Sequence, residues 1–204
     1  MAVIALIFTA TTASATLSSL DLVTGSGAGD ITFDSQTGLE WLDLTKTAGL
    51  SYNEIKNGTV TGFDFIANDG FRFATVSDVS TLFSNAGVTV FNTESATSLA
   101  PFQLLFGLMG CTGNCSLSQP FLRGYADFDV FNSSLSAAPF FQLNTSTTAK
   151  ADITILNIPK TSFTSSIGSF LVRNSAEVPE PSSIILFGVG LLGLAGIRRR
   201  SKAA

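Results

Sequence analysis

Short stretches of alternating apolar and polar residues recur through the middle of the chain, and they predict short β-strands. Residues 31–33 and 39–42 are predicted to form a hairpin, because Gly38 closes the polar stretch between them and glycine accepts the positive φ of a turn. Residues 71–73 alternate in the same way and predict a further strand. The remaining predicted strands are residues 63–65, 124–130, 139–143, 151–156 and 168–172.

Helix-start signals predict two or three short helices among these strands. Residues 51–54, Ser-Tyr-Asn-Glu, form a capping-box pattern that begins a helix toward Lys56. Thr75 begins a second helix, and Gly87 stands where a C-cap glycine is usual. Residues 100–109 are almost all apolar and predict a short buried helix. The expected fold class is therefore a small β-rich α+β domain.

The N-terminal residues resemble a secretory leader. Residues 2–10 are apolar and residues 13–15, Ala-Ser-Ala, form a small-x-small cleavage sequence, which predicts a signal peptide over residues 1–15 that is cut after Ala15. The basic n-region of such a peptide is absent, so we expect a longer natural N-terminus or a different start codon. A first core strand is the alternative interpretation of the same residues.

The longest apolar run covers residues 182–197 and contains no charged side chain. As a helix it is about 24 Å long, less than the roughly 30 Å core of a bilayer, but arginine side chains can reach the membrane surface and the bilayer can thin. We therefore predict a short transmembrane helix, with a buried core helix as the alternative. A basic membrane stop follows and predicts a cytoplasmic C-terminus. It consists of Arg198, Arg199, Arg200 and Lys202.

A proline-rich motif stands just before this run, at Val178, Pro179, Glu180 and Pro181. The two prolines keep the segment extended, which is the form that proteases and transpeptidases usually accept. The order of motif, apolar helix and arginine cluster over residues 176–204 resembles the PEP-CTERM sorting signal of Gram-negative bacteria that make exopolysaccharide. This resemblance implies an exosortase, an integral membrane transpeptidase, as partner. It also implies an inner-membrane intermediate, followed by the cell surface or extracellular matrix.

Between the two ends, residues 16–175 have the size of one exported domain. They contain 13 acidic and 7 basic side chains, a net charge of −6, so a nucleic-acid partner is not expected. The chain has 18 Phe residues, which can fill a core and favour a folded domain over a disordered one.

The chain has two cysteines, Cys111 and Cys115, in the sequence Cys-Thr-Gly-Asn-Cys. In an oxidising compartment we expect a local disulfide that stabilises the fold modestly. The chain has no histidine, which excludes Ser-His-Asp and Cys-His catalysis, and we expect neither a metal nor another cofactor.

Two acidic pairs are the candidates for a carbohydrate hydrolase, which needs two carboxylates facing each other. They are Glu40 with Asp43, and Asp127 with Asp129, whose spacing of two puts both on one face of a strand. The second pair is also a candidate for calcium, although no Asp-x-Asp-x-Asp-Gly loop is present. Solvated carboxylates are the simpler interpretation of both pairs.

Two further side chains are candidates for ligand contacts. Trp41 could stack on a sugar, but a tryptophan beside leucines in a strand is more often a core residue. Arg72 between two phenylalanines is expected to form a structural ion pair.

A second resemblance covers scattered parts of the domain. The Trp41 strand, the capping-box helix, the Arg72 strand and the Thr75-capped helix look like the opening of bacterial Lcl-type C-type-lectin-like domains, and residues 168–173 are similar to their closing strand. The resemblance implies a C-type-lectin-like fold. It does not extend to a sugar site, because residues 118–120, Ser-Gln-Pro, lack the acidic residue that would follow.

Together these patterns predict an exported, non-enzymatic surface or matrix protein that binds or structures exopolysaccharide. The alternatives are a hydrolase that uses acidic side chains and a surface protein that stays anchored in the membrane.

Overall fold

The computed structural model of the protein describes residues 16–23, 25, 27–59, 64–127, 135–153 and 158–175. The predicted signal peptide, the motif at residues 178–181, the apolar run, the basic stop and Asp129 lie outside these described residues. Within the described ranges, no helix combines the length and the apolar composition needed to cross a membrane.

The described residues form eleven strands and three α-helices, which confirms the predicted α+β class. The strands are β1 (Leu17–Leu20), β2 (Ile31–Asp34), β3 (Leu39–Leu42), β4 (Arg72–Phe73), β5 (Phe121–Tyr125), β6 (Leu135–Ser136), β7 (Phe140–Thr145), β8 (Thr148–Asp152), β9 (Ile158–Pro159), β10 (Gly168–Ser169) and β11 (Leu171–Asn174). The helices are α1 (Tyr52–Asn57), α2 (Val76–Asn85) and α3 (Leu99–Met109), and short 3-10 helices cover Leu44–Lys46 and Ala96–Ser98.

The first sheet has the strand order β1-β2-β3-β11-β4, and all its pairs are antiparallel. The β2–β3 hairpin turns at Gly38, whose φ of +69° is left-handed, and the Gly38 N–H donates to the Asp34 carbonyl at 2.8 Å. The last strand, β11, lies between β3 and β4, so the two ends of the described domain share one sheet.

The second sheet has the order β10-β5-β7-β8, in which β5, β7 and β8 are antiparallel and β10 runs parallel to β5. Strands β6 and β9 form a separate pair. The free side of β8 is covered, because Ser95 and Ala149 exchange two backbone hydrogen bonds of 3.0 and 3.1 Å and Asn92 N donates to Ala151 O at 2.8 Å. This cover blocks pairing of β8 with another chain.

Capping boxes begin α1 and α2 at the predicted residues. Ser51 Oγ accepts from Glu54 N at 3.2 Å, and Glu54 Oε2 accepts from Ser51 N at 2.7 Å. Thr75 and Asp78 repeat this exchange at 3.1 and 2.9 Å. Each box satisfies two backbone donors that the first helical turn leaves free.

The main core is aromatic and is shared by both sheets. Phe83 of α2 lies 5.3 Å from Phe141 of β7 and 6.2 Å from Phe170 between ring centroids. Phe170 also meets Trp41 of β3 edge-on at 6.4 Å, and Phe102 of α3 lies 5.4 Å from Phe141. Contacts between rings from four elements therefore fix both sheets against α2 and α3.

Three strand predictions need correction. In the strand predicted at 63–65, the described residues 64 and 65 are not in a strand, and Phe65 begins turns that continue to residue 69, because Asp64 Oδ1 accepts from Ala67 N at 3.2 Å and Phe71 N donates to Phe65 O at 3.1 Å. The strand predicted from residue 124 begins instead at Phe121, where it pairs with Gln142 of β7. The strand predicted from residue 151 begins instead at Thr148.

Candidate functional site

Six side chains lie together on one face of the second sheet, and we call this group the outer face. The register places Arg123 of β5 opposite Phe140 of β7, and Phe140 opposite Asp152 of β8. The adjacent row is Phe121, Gln142 and Lys150. Because strand side chains alternate, the intervening residues point into the core. Those buried residues are Leu122, Phe141, Ala149 and Ala151.

The Arg123 guanidinium lies between two phenylalanine rings. Its Cζ is 5.0 Å from the centroid of Phe121 and 4.9 Å from that of Phe140. Lys150 Nζ also approaches Phe140, at 6.0 Å. Cation–π contacts at such distances hold a guanidinium in place without using its hydrogen-bond donors.

Arg123 on the outer face has no ion pair among the residues that the structure describes. Asp152 pairs with Lys150 at 2.7 Å, and their side chains are 9% and 31% exposed. Burial lowers the pKa of the Arg123 guanidinium and the Asp152 charge partly opposes this, although an arginine stays charged at any physiological pH. With two cations and one anion, the outer face is positive in an acidic domain.

The disulfide between Cys111 and Cys115 supports the start of β5. Within its loop, the N–H groups of Thr112 and Gly113 both donate to Phe121 O at 3.1 Å, and Phe121 N donates to Gly113 O at 2.9 Å. Arg123 N donates to Thr112 Oγ1 at 2.8 Å. The Phe121 ring packs directly on Gly113, where an added Cβ would overlap it. The loop therefore positions both Phe121 and Arg123.

The first predicted acidic pair, Glu40 and Asp43, lies at the end of β3. Glu40 Oε2 accepts from Arg173 Nε at 2.7 Å. Burial and, to a smaller extent, the Asp30 charge raise the pKa of Asp43 to about 7, against the opposing charge of Lys46. Glu40 is thus held in an ion pair, whereas Asp43 binds its proton more tightly than an ordinary aspartate does.

The second predicted pair is described in part. Asp127 Oδ1 accepts from the Tyr52 hydroxyl at 3.1 Å, and Asp127 N donates to Ala74 O at 2.7 Å. Asp129, the other member, lies outside the described residues. Among the residues that are described, no group of three or more acidic or cysteine side chains could hold a metal ion.

The two predicted ligand-contact candidates have structural roles. Trp41 is fully buried and packs on Phe170, so it cannot stack on a sugar. Arg72 forms an ion pair with Asp78 at 2.8 Å and donates to Phe73 O at 3.1 Å.

Comparison with known families explains the C-terminal pattern. The family described as the PEP-CTERM protein-sorting motif matches residues 177–200. The chain carries a PEP-CTERM sorting signal. This signal contains the predicted motif, Val178 to Pro181, together with the apolar run and the three arginines. It indicates a protein that an exosortase sorts to the cell surface or the extracellular space.

No curated protein and no solved structure matches the chain. The resemblance to C-type-lectin-like domains is therefore not confirmed. The described domain therefore carries the remaining evidence on what the protein does after sorting.

The outer face was not predicted from the sequence. Its signals are present as the spacing of two between Phe121 and Arg123 and between Lys150 and Asp152, which puts each pair on one side of a strand. The sequence does not reveal that β7 aligns these two pairs around Phe140.

Proposed function

We propose that this PEP-CTERM protein is a non-enzymatic module that binds exopolysaccharide through the outer face. The observation that supports the proposal is the combination of two phenylalanine rings, Phe121 and Phe140, with polar side chains on one sheet surface. Aromatic rings offer apolar area to the C–H face of a sugar, while Arg123, Gln142 and Lys150 offer hydrogen bonds to its oxygens. A regular sheet suits an extended, repeating polymer because it presents these groups in rows.

The export route belongs to the same proposal. In this proposal residues 1–15 act as a signal peptide that directs secretion, and the apolar run over residues 182–197 holds the chain in the inner membrane until the exosortase acts. The protein then becomes part of the biofilm matrix or cell surface, where the polymer is abundant.

Binding of exopolysaccharide from the same cells to the purified full-length protein tests the proposal. Phe140→Leu keeps apolar volume but removes the ring, so we expect affinity to fall several-fold, as for the loss of one aromatic contact. Phe163→Leu is the matched control, since Phe163 is 70% exposed and lies outside the second sheet. Absence of binding by the unmodified protein would overturn the proposal.

A second candidate function, a hydrolase, rests on Asp43. A carboxyl group with a pKa of about 7 has the proton affinity of a general acid. Release of reducing sugar ends from the same exopolysaccharide, lost in Asp43→Asn, would favour this function. Polymer that stays intact during prolonged incubation would exclude it for that substrate.

A further inference from the structure

We propose that the polymer bound by the outer face carries carboxylate groups, as in a uronic-acid polysaccharide, and that Arg123 receives the carboxylate. This inference rests on the proposed function and adds the chemical class of the ligand. It separates an acidic polymer from a neutral one, a distinction that the aromatic rings alone cannot make.

Arg123 differs from the other two arginines of the described domain. Arg72 pairs with Asp78 at 2.8 Å and Arg173 pairs with Glu40 at 2.7 Å. Arg123 has no side-chain hydrogen bond or ion pair with the residues that the structure describes, and its buried Nε has no partner there. A partly desolvated guanidinium without a hydrogen-bonded anion is costly, so the site favours an incoming one.

The shape of the site favours a carboxylate. The rings of Phe121 and Phe140 fix the Arg123 guanidinium from two sides at 5.0 and 4.9 Å, which leaves its terminal Nη donors for a ligand. A guanidinium donates two parallel hydrogen bonds to a planar carboxylate, and such charge-assisted bonds are the strong ones. The rings that hold Arg123 also provide the apolar surface for the sugar that bears this carboxylate.

The charges around Arg123 do not cancel its preference for a carboxylate ligand. Asp152 is the acidic residue of the outer face, and its carboxylate is paired with Lys150 Nζ at 2.7 Å. Arg123 is therefore the excess cation of this surface. Most of the domain, which has a net charge of −6, would repel an acidic polymer. Such a polymer would therefore bind at a locally positive surface such as the outer face.

Titration calorimetry of the full-length protein with a galacturonate oligosaccharide, and with the same oligosaccharide after reduction of its carboxyl groups to alcohols, tests the inference. We expect the reduced ligand to bind roughly ten-fold more weakly, the effect of losing one charge-assisted interaction. Arg123→Gln should weaken binding of the galacturonate by a similar factor and leave the reduced ligand unaffected. Arg123→Lys should give an intermediate loss, because lysine keeps the charge without the planar fork.

Lys56→Gln is the matched control for charge. Lys56 lies outside the second sheet, 5.5 Å from the centroid of Tyr52, so its replacement should leave galacturonate affinity unchanged. Thermal unfolding of each variant separates loss of binding from loss of folding.

The outcomes separate the two proposals. Equal affinity for the acidic and the reduced ligand would overturn the carboxylate inference and leave polysaccharide binding standing. Binding of neither ligand nor exopolysaccharide would overturn both. Polyglutamate bound as tightly as galacturonate would also overturn the inference, because charge without a sugar would then be sufficient.

Discussion

Asp43 shows how one residue can make the stability of the domain depend on pH. Its Oδ1 is buried and has no hydrogen-bond partner among the described residues. Burial, together with the neighbouring Asp30 charge, raises its pKa from the ordinary 3.8 to about 7. Because the folded pKa is the higher one, the proton binds more tightly to the folded state. This contribution to stability is fully present below about pH 4 and is lost as the pH rises through 7.

Replacement of Asp43 by asparagine should therefore stabilise the protein at about pH 8 and have almost no effect near pH 4. We expect a gain of about 1 kcal/mol in the free energy of unfolding, since partial solvent exposure reduces the full electrostatic effect. Urea unfolding at both pH values measures the gain.

Asp21→Asn is a control for which we expect the opposite change in stability. Hydrogen bonds from the N–H groups of Gly29 and Gly27 lower the pKa of Asp21. This variant should lose stability at neutral pH and become equivalent to the natural protein in acid. A gain for Asp43→Asn that is the same at both pH values would contradict the role assigned to burial.

Among the elements, the disulfide loop and β5 depend on each other. Gly113 is required where the loop meets β5, since a side chain there would overlap the Phe121 ring. The backbone bonds between Gly113 and Phe121 also extend β5 by three residues beyond its predicted start.

Gly113→Ala should cost about 1–3 kcal/mol in the free energy of unfolding, the usual range for an overpacked site. It should also weaken polysaccharide binding, because the Phe121 ring has to move. Gly107→Ala is the control, because nothing lies within 4 Å of the added methyl group and alanine favours a helix by up to about 1 kcal/mol. Denaturant unfolding measures the free energy of unfolding of both variants. Equal stability of the two would contradict the close packing at Gly113.

The first residue of a helix or strand could be predicted where the contacts that define it are close in sequence. Ser51 with Glu54, and Thr75 with Asp78, lie within one helical turn, so the sequence alone locates both helix starts. The start of β5 depends on Gln142, which lies 21 positions away, and on the disulfide loop. Arg123 could not be recognised as a site residue because its environment requires the register of three strands.

At the scale of the whole molecule, the chain combines a contiguous sorting signal with an outer face whose residues are dispersed in the sequence. The sorting signal could be recognised from the sequence because its motif, apolar run and basic cluster follow one another within residues 177–200. The outer face draws its residues from strands that begin at Phe121, Phe140 and Thr148, and folding alone brings them together.

Sorting predicts a specific mature C-terminus. We expect mass spectrometry of the protein from the cell surface to find a chain that ends near residues 179–181, without the basic cluster. The double substitution of Pro179 and Pro181 by alanine should leave the chain uncut and ending beyond Lys202, because the motif is no longer held extended. Pro159→Ala, which alters a proline of β9 instead, should be processed normally. Natural protein that retains Lys202 at the surface would indicate permanent anchoring.

If the outer face binds acidic sugars as proposed, the disulfide loop also determines when the protein can bind them. The Cys111–Cys115 bridge supports the backbone of Phe121 and Arg123, and such bridges persist only in an oxidising compartment. In the reducing cytoplasm a newly made chain lacks this support, so its affinity for acidic sugars should be low there. The protein would then acquire its ligand affinity only after crossing the membrane, which would keep it from capturing sugar precursors inside the cell.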